Sequence, residues 1–319
     1  MNGTVVAVDH RFPGLEIERQ ALDPLGLDVQ DADGLDREAV LALCSDARAV
    51  LTGARFRFDA EAIAALTRCS VIVRYGVGVD NVDVDAAAAA GIWVAYVPDY
   101  CVDEVAEHTI ASLLALNRRL LGFDRAIRAG EWGIPAGLPV HRLSVGVLGI
   151  VGFGRIGEAV AVRARALGLT VLASDPARPP AEIERVGAAP APLEELLAQA
   201  DYVSLHAPLV GRTILGREQL ALLKPGAFLL NVARAGLVDE EALISGLEDG
   251  RIAGAALDVT SQEPLRPPSP LLDVPNLLLT PHAAWYSVES VIELRRKVAA
   301  EAARVLAGEP PLHAARDLG

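Results

Sequence analysis

The sequence predicts an α/β fold built from two doubly wound parallel-sheet domains, and three observations carry that reading. Short β-branched runs alternate with Ala- and Leu-rich helical runs from end to end, the rhythm of parallel sheets with helices on both faces. The 319 residues suggest two domains at roughly 150 residues each. Apolar residues make up 52% against only 4% aromatic. The cores must therefore be built of Ala, Val, Leu and Ile, which suits strands buried on both faces.

In chain order, the first strand candidates are residues 5–8, 49–51, 71–74 and 93–95. Val97-Pro98-Asp99 closes this series. One long helical pattern then runs from about Asp103 to Arg128, apolar at Ile110, Leu113, Leu114, Leu116 and Leu120. Residues 130–139 carry two Pro and three Gly and read as a loop. A second series of strands follows at 144–150, 170–173, 202–205, 228–231, 255–258 and 277–279, and a last helix spans about 287–306. No repeat at solenoid periods and no low-complexity segment interrupts the pattern.

Charge narrows the function. A net charge of −13 repels phosphate backbones, so no nucleic-acid partner is expected. The same field repels small anions, so a site for an acid needs its own positive charge, and arginine placement becomes informative. Cys44, Cys69 and Cys101 form an odd, sparse set without CxxC; free thiols point to a reducing compartment. Residues 4–9 read as a strand and lack the basic start and long apolar stretch of a signal peptide. The longest uncharged run, 143–154, is too short and Gly-rich to span a membrane. A cytoplasmic protein is expected, with no meaning attached to the sequon at Asn2. The six histidines show no HExxH or comparable spacing, so no metal is expected.

The most informative segment is the apolar run Val145 to Val151 leading into Gly152-Phe153-Gly154-Arg155-Ile156-Gly157 and an Ala-rich helix. Gly152 makes a tight turn, Gly154 lets backbone approach a pyrophosphate, and Gly157 lets helix and strand pack closely. The helix start offers free N–H groups and partial positive charge to phosphates. Strand before and helix after supply the context this motif needs. The next strand ends at Asp175, about 20 residues past the glycines, where an acid accepts bonds from a ribose and repels a 2′-phosphate. NAD is therefore favoured over NADP, with Arg178 the residue that would tolerate the latter. The alternative for Asp175 is a turn before Pro176.

Three polar groups then fall after successive strands: Asn231-Val232-Ala233-Arg234, Asp258 through Glu263-Pro264, and Thr280-Pro281-His282. Ligands bind at such strand ends in doubly wound folds. An arginine grips a carboxylate bidentately, a histidine exchanges protons near neutral pH, and a neighbouring carboxylate fixes its tautomer. Singly, each has an ordinary alternative: a surface ion pair for Arg234, a turn cap for Glu263, a helix-end histidine for His282.

Together with Arg74-Tyr75-Gly76-Val77-Gly78-Val79-Asp80-Asn81, Glu104-Val105-Ala106-Glu107-His108-Thr109 and His206-Ala207-Pro208-Leu209, these motifs give the whole chain its resemblance to the D-isomer-specific 2-hydroxyacid dehydrogenases, a family that includes phosphoglycerate dehydrogenase-like enzymes. The resemblance implies Rossmann/flavodoxin-like domains with an active-site cleft between them. Residues 1–100 plus 287–319 would bind substrate and 101–286 would bind NAD. It implies hydride transfer between NAD(H) and C2 of a small 2-hydroxy or 2-keto acid, D-isomer specific, in a homodimer. His282 would be the acid/base, Glu263 its partner and Arg234 the substrate clamp. Tyr75, Gly76, Val77 and Gly78 would line the substrate site, with the Val77 and Gly78 N–H groups on the carboxylate; a plain tight turn is the alternative for the two glycines. Thr109 and Asp258 would lie near the nicotinamide, and Arg155 and Ile156 on the pyrophosphate. His206, Pro208, Ala233 and His282 would complete the cofactor site.

The run from Pro281 to Ser287 looks most like the C-terminal-binding-protein branch, whose members include NAD-sensing corepressors. That branch implies a substrate-pocket role for Trp285, with core packing as the alternative, and an NADH-sensing binding protein as the alternative function. Two positions depart from the family pattern: Ala235 replaces a glycine after the arginine, and Val210 replaces a polar residue.

Overall fold

A computed structural model describes residues 3–134, 139–209, 211–274 and 276–318. The chain divides into two units, Met1–Cys101 with Ser287–Gly319, and Val102–Tyr286.

The first unit alternates β1 (Gly3–Val8), α1 (Glu16–Leu22), β2 (Leu27–Asp31), α2 (Arg37–Cys44), β3 (Ala49–Thr52), α3 (Ala60–Ala64), β4 (Val71–Arg74), α4 (Val84–Ala89) and β5 (Trp93–Ala95). Its five parallel strands lie in the order β2-β1-β3-β4-β5, the flavodoxin-like order of a doubly wound sheet. Asp36, Asp59 and Asp83 start α2, α3 and α4 by accepting the N–H three residues on, each such cap contributing about 1 kcal/mol. β2 was not among the strands read from sequence. Its burial alternates, with Leu27 and Val29 inside, as suits an edge strand, and its three polar residues hide the signal.

The second unit contains α5 (Val102–Asn117), α6 (Leu120–Arg128), β6 (Val147–Val151), α7 (Arg155–Ala166), β7 (Thr170–Ser174), α8 (Pro180–Arg185), β8 (Ala189–Pro190) and α9 (Leu193–Gln199). It continues through β9 (Tyr202–Leu205), α10 (Arg217–Ala221), β10 (Ala227–Asn231), α11 (Glu240–Glu248), β11 (Ile252–Leu257) and β12 (Leu277–Leu279). The last helix, α12 (Val288–Leu306), belongs to the first unit. The seven parallel strands run β12-β11-β10-β9-β6-β7-β8. Counted from β6, this is the Rossmann order with one strand added at the far edge. Both faces are covered: Leu229 of β10 joins one apolar cluster, while Phe228 and Leu230 join the other, as the two-residue period of a strand requires.

Two expectations are corrected. The pattern from Asp103 to Arg128 is two helices, because Arg119 adopts a left-handed backbone with φ 55°. Its guanidinium donates to the Ala253 carbonyl at 3.0 Å and lies over the Phe228 ring. The strand expected from residue 144 begins at Val147, because Leu143–Val145 forms a 3-10 turn.

Candidate active site

The strand order of the second unit reverses between β6 and β9, and the loops leaving these two strands form the crevice where doubly wound folds take ligands. Three glycines do different work in the loop after β6. Gly152 has φ 91°, and a Cβ there would lie 2.5 Å from the Ala207 nitrogen. A Cβ on Gly157 would lie 2.4 Å from the Gly152 oxygen. A Cβ on Gly154 would meet no atom within 4 Å. Gly154 is also the N-cap of α7 and offers no side-chain cap, so the first-turn N–H groups are left to an outside acceptor. Arg155 is exposed and Ile156 half-buried in that turn.

Asp175 follows β7. Its carboxylate accepts the Phe153 N–H at 2.7 Å and the Ala177 N–H at 2.9 Å, so it braces the glycine loop and also makes the turn at Pro176. Arg178 is paired with Glu182 at 2.7 Å rather than turned toward Asp175. After β9, His206 meets the Ser204 hydroxyl through Nε2 at 2.8 Å. Burial pushes its imidazole down to about 3, so the ring is neutral at physiological pH. Pro208 is exposed; Val210 lies outside the described residues, as does Asn2. An uncapped helix start, a glycine with open space where its side chain would be and an acid after the second strand fit a dinucleotide.

The chemistry-bearing residues come from the loops after β10, β11 and β12. Asn231, buried at the end of β10, donates to the Arg234 carbonyl at 2.8 Å and accepts the Ala233 N–H at 3.1 Å. This braces a turn in which Arg234 Nη1 donates to the Ala233 carbonyl at 2.8 Å. Ala235, which departs from the glycine that the resemblance implies, opens a 3-10 turn without positive φ, a backbone that tolerates its methyl group.

Asp258 is the hub of the next layer. Its buried carboxylate accepts the Thr280 hydroxyl at 2.6 Å and the Ala283 and Ala284 N–H groups at 2.8 and 2.9 Å. Its carbonyl accepts the His282 N–H at 2.8 Å. The Trp285 indole N–H donates to the His282 carbonyl at 2.9 Å. His282 is held with φ 56°, and its Nδ1 meets Glu263 Oε2 at 2.8 Å. Burial would raise the Glu263 pKa, but the bond and charge of His282, the Thr260 N–H and the charge of Arg234 together hold the carboxyl below its ordinary range. Among the described residues, His282 Nε2 has no partner. The ring is thus fixed at one nitrogen and free at the other.

Two residues named by resemblance do not reach such a position. Thr109 is fully enclosed, and its hydroxyl donates to the Val105 carbonyl one turn back at 2.7 Å. Its neighbour His108 instead meets the Thr280 hydroxyl at 3.2 Å. Tyr75 is buried with its hydroxyl on Glu18 at 3.1 Å. Val77, two residues on and past the turn at Gly76, is exposed. Gly76 has φ 140°, and among the described residues neither the Val77 nor the Gly78 N–H has an acceptor. Asn231, Thr280 and His108 had no individual role in the sequence reading, although Asn231 and Thr280 stand in its strand-end motifs. Among the described residues, no group of three His, Cys, Asp or Glu side chains is placed to hold a metal.

Residues 110–284 match the family model described as D-isomer specific 2-hydroxyacid dehydrogenase, NAD binding domain. The chain is 38% identical over 287 residues to D-3-phosphoglycerate dehydrogenase of Mycobacterium tuberculosis, which covers 89% of this chain and 54% of that protein. The chain thus spans about half the length of that relative. It is also 38% identical over 281 residues to glyoxylate reductase of Korarchaeum cryptofilum, covering 86% of this chain and 84% of that one. Among solved structures, a glyoxylate reductase from Paecilomyes thermophila superposes with a TM-score of 0.89 at 32% identity, covering 99% of each chain. These names give no support to the corepressor-branch alternative.

Proposed function

The chain belongs to the D-isomer-specific 2-hydroxyacid dehydrogenase family, and we propose that it moves a hydride between NAD(H) and C2 of a small 2-hydroxy or 2-keto acid, with D stereochemistry. The observation that carries this reading is the His282–Glu263 pair, tied at Nδ1 and open at Nε2, with the Arg234 charge beside it.

Gly154 and the first turn of α7 would hold the cofactor pyrophosphate and Asp175 the adenosine ribose. The cofactor supplies the hydride, and the chain's residues supply the rest. Arg234 neutralises the substrate carboxylate and polarises the C2 carbonyl. His282 Nε2 gives its proton to the carbonyl oxygen during reduction and takes it back during oxidation. Glu263 stabilises the imidazolium and keeps the ring aimed. Asp258 and Trp285 hold the backbone on either side of His282. In the first unit, the Val77 and Gly78 N–H groups, which have no acceptor among the described residues, would bind a carboxylate. No helix among the described residues is long and apolar enough to cross a membrane. We place the protein in the cytoplasm, in keeping with three buried cysteines that form no disulfide, and read it as a homodimer.

The test is loss of reduced-nicotinamide absorbance with NADH, then NADPH, across glyoxylate, hydroxypyruvate, pyruvate and branched, thioether, aromatic and phosphorylated 2-keto acids. Turnover with NADH on some members is expected. His282→Ala should lower that turnover by roughly 10²- to 10⁴-fold while NADH still binds. Undiminished turnover in the variant would remove His282 from the mechanism. Silence of the wild type across the panel, with NADH bound, would count against the dehydrogenase reading.

A further inference from the structure

Beneath the turn that carries Val77 and Gly78 lies a charged cluster for which the proposed reaction has no use. Glu18 on α1 is fully buried, and Arg295 on α12 nearly so. The two form a bidentate pair, Nε to Oε1 at 2.9 Å and Nη2 to Oε2 at 2.6 Å. Nη2 also donates to the Gly14 carbonyl at 2.5 Å. The Tyr75 hydroxyl donates to the same Oε1 at 3.1 Å. The Arg295 guanidinium lies over the Phe12 ring, 4.6 Å from its centroid, and Phe12 meets the Tyr75 ring edge to face at 5.1 Å.

Such a pair is poor evidence of stabilisation, because desolvation offsets its attraction and apolar residues of similar volume often serve as well. What it does provide is a fixed place for the Tyr75 ring, directed by bonds rather than by packing alone. The chain beyond Tyr75 is pinned as tightly. Arg74 Nη1 donates to the Tyr75 carbonyl at 2.6 Å, and the Gly76 carbonyl accepts the Val97 N–H at 3.0 Å. Gly76 holds φ 140°, and any side chain there would strike the Arg74 guanidinium. Every backbone polar group of Tyr75 and Gly76 is thus used inside the protein. The next two N–H groups are the first without an acceptor among the described residues.

We propose that Glu18, Arg295 and Tyr75 are positioning residues that set the direction of the Val77 and Gly78 N–H groups for binding a substrate carboxylate. This rests on the assignment of that turn to the carboxylate made above.

Tyr75→Phe removes the hydroxyl and keeps the ring. In the full chain with saturating NADH, the affinity for oxamate, an unreactive 2-keto acid analogue, should fall roughly 5- to 10-fold, the equivalent of one hydrogen bond. KM for the best keto acid should rise by the same factor with kcat nearly unchanged, and NADH affinity and melting temperature should stay at wild-type values. The double change Glu18→Met with Arg295→Met tests the pair itself, and a folded product should show the same loss of oxamate affinity. Unchanged oxamate affinity in both variants would overturn the proposal, as would a wild type that does not bind oxamate at all. A parallel fall in oxamate affinity, NADH affinity and melting temperature would reduce the cluster to a structural role and overturn it too. Oxamate binding that weakens in Tyr75→Phe, in a wild type inactive on every keto acid, would uphold this proposal and defeat the dehydrogenase reading instead.

Discussion

His282 and His206 divide the work of histidine by their surroundings. His282 sits in the left-handed backbone region at φ 56°, which costs a residue with a side chain on the order of 1–2 kcal/mol. Bonds from Asp258, Trp285 and Glu263 hold it there. His206 is half-buried beside Ser204 with no carboxylate partner among the described residues, and burial pushes its pKa down to about 3. The unfolded chain takes up the His206 proton near pH 6.5 and the folded chain does not. The stability this contributes is complete above about pH 6.5 and is lost progressively as pH falls toward 3. His206→Gln keeps a hydrogen-bonding group for Ser204 and removes the titration. Thermal melts between pH 7 and 4 should show a shallower loss in this variant than in the wild type; parallel curves would mean His206 takes up its proton alike in both states. The pairing of His282 with Glu263 was legible because both follow strands of a parallel sheet, where loops converge. The inward turn of Tyr75 and Thr109 was not, since a matching stretch names a backbone position and says nothing of which face its side chain takes.

The loop from β6 into α7 separates folding from binding among its own glycines. Gly157 is required by the protein itself, because a methyl group would sit 2.4 Å from the Gly152 oxygen. Gly154 faces nothing within 4 Å, so only a ligand can object to a side chain there. Gly157→Ala should lower stability by about 1–3 kcal/mol, the range for overpacking, with NADH affinity falling alongside. Gly154→Ala should fold within about 0.5 kcal/mol of wild type, as changes on open surface do, yet bind NADH at least tenfold more weakly. Melting curves and NADH fluorescence titration on the two variants read both quantities. Wild-type NADH affinity in Gly154→Ala would move the pyrophosphate elsewhere. This strand, turn and helix were readable from sequence because each glycine answers a local geometric need. The break between α5 and α6 was not, because the apolar period runs on through Leu120 while the reason for the break, Arg119 reaching Ala253 and Phe228, lies more than a hundred residues away.

For the whole molecule, a net charge of −13 opposes self-association, so a face that pairs two copies must be apolar enough to overcome it. The second unit has such a face. None of the described residues of α6 is buried, and Leu120, Leu121 and Ile127 are exposed on it. Just beyond, Trp132 is 92% and Ile134 84% exposed. Large apolar side chains this open, close together in sequence, are unusual for a surface meeting only water. Arg125 and the Asp124–Arg128 ion pair on the same helix leave it without excess negative charge. A second copy related by a two-fold axis is the commonest way to cover such a surface, and we expect the homodimer to form there. Sedimentation velocity should give about 67 kDa for the wild type, twice the 33.5 kDa of one chain. Ile127→Glu with Trp132→Glu places charge on both exposed stretches and should return the single-chain mass without lowering the melting temperature of the isolated chain. A wild type sedimenting as one chain, or a dimer indifferent to both charges, would put the interface elsewhere and leave the exposed Trp132 without a partner.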